Sequence, residues 1–101
     1  MSVLVPTISA ADEIAVGASS ATFGLAMTTI GVLGQALYRF VSTTNCWLAQ
    51  SATPTATSGA GSLFVPANTI VILDGSLGTH AACIQDSTGG KASLCPVLDV
   101  R

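Results

Sequence analysis

His80 is the single histidine of this 101-residue chain, and with Cys46, Cys83 and Cys95 it exhausts the usual bases and soft nucleophiles. General acid–base chemistry needs a partner that sets the imidazole pKa, and nothing beside "GSLGTHAAC" identifies one. The histidine reads as a turn or rim residue. Three cysteines with no CxxC spacing and one histidine fit neither a disulfide framework nor a zinc site. They read as small buried apolar groups. A Cys83–Cys95 pair stays open because both fall on one proposed hairpin, although a cytoplasmically made protein keeps its thiols reduced. Asp12, Glu13, Asp74, Asp86 and Asp99 are spread along the chain, and Asp74 and Asp86 stand at turns, where aspartate closes backbone. There is no G-x-S-x-G elbow, and the glycine-bearing "SATPTATSGAG" lacks the GK[ST] of a phosphate cradle. The residue inventory points away from an enzyme and implies no cofactor, no metal and no small-molecule ligand.

Composition points toward association instead. Half the residues are hydrophobic and only 8% are charged, against about 25% in ordinary soluble domains. So few charges solvate a lone surface poorly, and some apolar area is expected to be shared with another molecule. The basic residues Arg39, Lys91 and Arg101 are scattered, which leaves no footprint for nucleic acid. The length suits one domain with a thin core.

Residues 14–38 carry no charge, and a stretch longer than about 20 apolar residues can span a bilayer. Ser19, Ser20, Thr22, Thr28, Thr29, Gln35 and four glycines weigh against a spanning helix, as does the lack of flanking basic residues. The segment reads better as strands, "SATFGLAM" and "IGVLGQALYRFV", with bulges or close approaches at Gly24 and Gly34. No membrane partner is expected.

The positioning elements are short strands set off by turn residues at intervals of about 8 to 12. The spacing predicts a mainly β chain, a small antiparallel sandwich or barrel of about seven or eight strands. "SAADE" at 9–13 has room for one tight turn or a short N-terminal helix. Residues 1–13 read as an N-terminal arm and 14–101 as a single β domain. In "YRFVSTTNCWLAQ", Tyr38 and Phe40 share a face. Tyr38, Phe40, Trp47, Phe64, Ile84 and Leu94 are the candidate core. Residues 51–61 read as a surface loop too small-sided to hold itself by burial. Asp74-Gly75 and Gly78 bound a turn, and "DSTGG" at 86–90 reads as a hairpin loop, with glycine supplying positive φ in each. Pro96 marks an edge or a bulge in the last strand. Ile70-Val71-Ile72-Leu73 does not alternate, so that strand is expected to be apolar on both faces. Val3, Leu4, Val5 and Ile70, Val71, Ile72, Leu73 are therefore the candidate oligomer or shell interface.

Residues 37–97 carry a further pattern: "YRFVSTTNCWLAQ", then "SLFVPAN", then "LDGSLGTHAACIQDSTGGKASLCPV". This order of a Y-R strand, a Cys-Trp segment, a V-P-A corner and a C-I-Q-D-S-T-G-G hairpin resembles small structural proteins of tailed bacteriophages. The resemblance implies a virion component on the capsid surface, assembled in the host bacterial cytoplasm. It implies a capsid decoration or cement protein that forms a symmetric homo-oligomer, a trimer favoured, and contacts the major capsid protein. A tail, fibre or head-fibre module touching a host receptor is the alternative.

Overall fold

Strand-forming residues separated by Gly, Ser, Thr and Asn clusters fold here into two antiparallel sheets packed face to face. The computed structural model describes the backbone of residues 3–6, 11–27 and 37–100, and the side chains of 11–27 and 37–97. The strands are β1 (Val3–Pro6), β2 (Asp12–Val16), β3 (Ala21–Thr22), β4 (Leu37–Ser42) and β5 (Cys46–Ser51). They continue with β6 (Leu63–Val65), β7 (Val71–Asp74), β8 (His80–Gln85) and β9 (Gly90–Val100). Sheet A runs β1-β9-β4-β7, with β2 also on β9, and sheet B runs β3-β8-β5-β6. Because β1 and β2 lie end to end along one side of β9, each sheet is four positions wide.

The two sheets match position for position. Residues 17–20 join β2 to β3, 43–45 join β4 to β5, 66–70 join β6 to β7, and 86–89 join β8 to β9. Each connector crosses from one sheet to the other, and the registers Val16↔Gly90, Ser42↔Ala92, Cys46↔Gln85 and Cys46↔Val65 place all four at one end. Turning backbone cannot satisfy itself there, so the crossing loops bond one another. Asp86 N donates to Asn45 O (3.1 Å), Asn68 N to Ser42 O (2.7 Å), and Gln85 N to Gly17 O (2.9 Å). The Asn45 side chain accepts from Ala67 N (2.8 Å), and the Thr44 hydroxyl donates to Thr88 O (2.7 Å). Asn68 takes the left-handed backbone (φ 62°) that asparagine tolerates.

Between the sheets lies one core that includes Val16, Phe23, Met27, Phe40, Leu48 and Leu94. Tyr38, Phe40 and Leu94 are all buried, and Phe23 meets Phe40 edge to face at 6.0 Å. The segment 20–27 is strand only at Ala21–Thr22, and the irregularity expected at Gly24 is a bend. Past Thr22 the chain bends at Gly24, where the Asp12 carboxylate accepts from Gly24 N (2.8 Å) and Leu25 N (3.1 Å). That bend aims Phe23 and Met27 inward.

Several expectations are corrected. Asp12 and Glu13 begin β2, so they form no helical turn. β2 and β3 occupy part of the uncharged stretch, and among the described residues no helix is long and apolar enough to cross a membrane; Gly34 lies outside the described residues. Val3–Pro6, read as arm, pair with Val97–Val100 of the same chain. "DSTGG" is a corner between sheets, which also separates Cys83 on β8 from Cys95 on β9; all three cysteines are free thiols. The glycines at 75, 78, 89 and 90 supply no left-handed backbone. Gly78 is extended (φ 160°), and a Cβ there would stand 2.7 Å from the Ser51 backbone. At Gly90 it would stand 2.6 Å from Thr43 Oγ1. The need is for room.

Pro96 sits on an interior strand, paired with Tyr38 of β4. Its other side faces the seam between β2, which ends at Asp12↔Leu94, and β1, which starts at Pro6↔Val97. A residue without an N–H fits a place where no neighbour awaits one. The loop 51–61 also departs from the reading. Ala56 is 2% exposed, packs with Ala49 and Ala82 on the outward face of sheet B, and donates its N–H to Ser20 Oγ (2.9 Å). Alanine is small enough to bring this loop flat onto the sheet.

Replacing Gly78 by alanine forces backbone against backbone and should lower stability by about 1–3 kcal/mol. Gly17→Ala, where a Cβ meets nothing within 4 Å, should stay within about 0.5 kcal/mol of wild type. Urea unfolding of the two variants checks the difference.

Candidate functional site

The residues able to do chemistry are dispersed. His80 opens β8, half-buried, with its Nδ1 3.0 Å from Thr79 Oγ1. Among the described residues no carboxylate bonds to it. Each described acid has a structural task. Asp12 holds the 24–25 bend, Glu13 faces Lys91 across 3.9 Å on the surface, and Asp86 accepts from the Trp47 indole N–H (3.1 Å). Asp74 caps the 3-10 turn Gly75–Leu77. The Ser76 backbone N–H (2.9 Å) and then its hydroxyl hold the Asp74 carboxyl below the ordinary carboxylate range. Gln50 Nε2 anchors the same turn by donating to Asp74 O (2.7 Å) and Gly78 O (3.1 Å).

Cys46 and Cys83 are diagonal neighbours on the core-facing side of sheet B. Burial, and then the adjacent Cys46, push the Cys83 thiol up to about 12. Burial also raises Cys46, with the Ser42 hydroxyl acting in the opposite sense. Thiols that resist ionisation are neither nucleophiles nor metal ligands. Cys95 Sγ–H donates to Pro96 O (3.4 Å). Among the described residues no three His, Cys, Asp or Glu groups converge on a metal position. A depression of about 220 Å³ near the crossing end is lined by Glu13, Val41, Thr43, Asn68, Lys91 and Ser93. Its two charged groups are largely exposed, 65% and 71%, so it is ordinary wet surface.

What stands out is apolar side chains left uncovered at the sheet edges. Among the described residues β7 is the outermost strand of sheet A and β6 that of sheet B, and residues 66–70 join them on the same side of the sandwich. Burial alternates along β7. Val71 and Leu73 face inward, opposite Phe40 and Tyr38, while Ile70 is 54% and Ile72 41% exposed. The strand is apolar on both faces as expected, with one face on the core, and among the described residues of the candidate interface Ile70 and Ile72 are the exposed ones. Val3, Leu4 and Val5 lie on the other edge of sheet A, and their side chains are outside the description. On sheet B, Trp47, Phe64 and Ile84 form one cross-strand row on the outward face, away from the main core assigned to them. Trp47 meets Phe64 edge to face at 5.3 Å, and Phe64 is 40% exposed. Ile84 packs beside the Ala49–Ala56–Ala82 cluster. The parity was legible: Cys46 and Leu48 point inward, so Trp47 between them points out.

Leu63 (56% exposed), Arg39 and Asp86 belong to this surface and were not singled out from sequence. A three-residue strand ended by Pro66 is the signal of an edge that would have flagged Leu63. Arg39 shares its outward face with Ile72, its cross-strand partner. No protein-family model, no curated protein and no solved structure matches the chain.

The raised thiols give a pH signature with a definite sign. Cys83 in the unfolded chain ionises near 9.0, and in the fold near 12. The stability this difference carries is therefore complete below pH 9 and is lost as pH rises toward 12. Urea midpoints should fall between pH 8 and pH 10.5 in wild type, and less so in Cys83→Ala. At pH 8, a thiol reagent should leave Cys83 unmodified until urea unfolds the chain.

Proposed function

We propose that the chain is a non-enzymatic structural subunit of a virion, of the capsid-decoration kind that residues 37–97 resemble. It assembles with copies of itself through the β6–β7 side and rests on the shell formed by the major capsid protein. One observation carries the reading: both sheets end on the same side in open edge strands that expose Leu63, Phe64, Ile70 and Ile72. Natural proteins guard open edges with lysine, proline or inward charge. Neither edge strand contains a lysine, and the charge-poor composition agrees. β6 is kept to three residues and ends at Pro66, which guards its backbone, while the apolar side chains along both edges stay uncovered and suit a partner.

The outward-facing pair of half-buried Trp47 and exposed Phe64, with Asp86 beside it, supports a second reading, a tail or fibre module whose aromatics stack on a host glycan. Trp47 fluorescence titrated with host-surface polysaccharide separates the two, since saturable quenching favours the receptor module.

Size-exclusion chromatography with light scattering at micromolar concentration should return a whole multiple of the 10.1 kDa chain mass. A dispersed monomer would overturn the assembly reading. A cryo-microscopy map of the particle should place the chain on the head shell, and density at the tail would move the assignment to the second reading.

A further inference from the structure

We draw no further inference here: the strongest candidate, the apolar patch along the β6–β7 side of the sandwich where Leu63, Phe64, Ile70 and Ile72 stand exposed, belongs to the site already described, and nothing in the structure shows what covers it.

Discussion

Four chain crossings at one end of the sandwich are the constraint from which the rest follows. Each carries the backbone from one sheet to the other within three to five residues, so its peptide groups cannot join a ladder. Ser42, Thr43, Thr44 and Asn45 answer that need. The buried Ser42 hydroxyl donates to Thr44 O (2.8 Å), the Thr43 hydroxyl accepts from Lys91 N (3.0 Å), and Asn45 binds both Ala67 and Asp86. Short polar side chains that mimic backbone are the residues able to do this. Fixing these corners stacks β4 on β5 and β8 on β9, and brings β6 beneath β7. The shared open side is thus a product of corner chemistry.

The same economy explains what fills the space. A thin two-layer core admits two phenylalanines, Phe23 and Phe40, while the outer face of sheet B is roofed by Ala56 over Ala49 and Ala82. Alanine over alanine lets a loop lie close without a second full layer. The roof covers one part of that face and leaves Trp47 and Phe64 beside it, where aromatic area is available to another molecule.

The β character, the strand spacing and the inward rows of Tyr38, Phe40 and Leu94 could be read from the residues, because period-two patterning depends only on neighbours. Pairing could not. "DSTGG" looks alike whether the chain returns beside itself or crosses to the facing sheet, and only the distant partners of β8 and β9 decide. Trp47 and Phe64 read as core among apolar neighbours, although parity with Cys46 and Leu48 points them outward. Ile70 to Leu73 concealed its alternation because both faces carry aliphatic residues, so hydropathy could not report which pair faced Tyr38 and Phe40. The glycines were legible as necessary but for the wrong reason. Contact with Ser51 or Thr43 is a property of tertiary approach that no local pattern encodes.

The seam at Pro96 has a mechanical meaning. Among the described residues β1 joins the sheet through its ladder with the last four residues of β9, and β2 begins a separate ladder on the far side of the proline. Val3 and Val100 are direct partners, so tension drawn through both ends opens that short ladder rung by rung instead of shearing it all at once. That opening reaches the gap at Pro96, beyond which the β2 ladder is a separate set of bonds and Asp12 ties its first residue to the 24–25 bend. The last strand thus carries two ladders in series, a four-pair clasp near the ends and a five-pair ladder behind it, so the first can part without breaking a bond of the second.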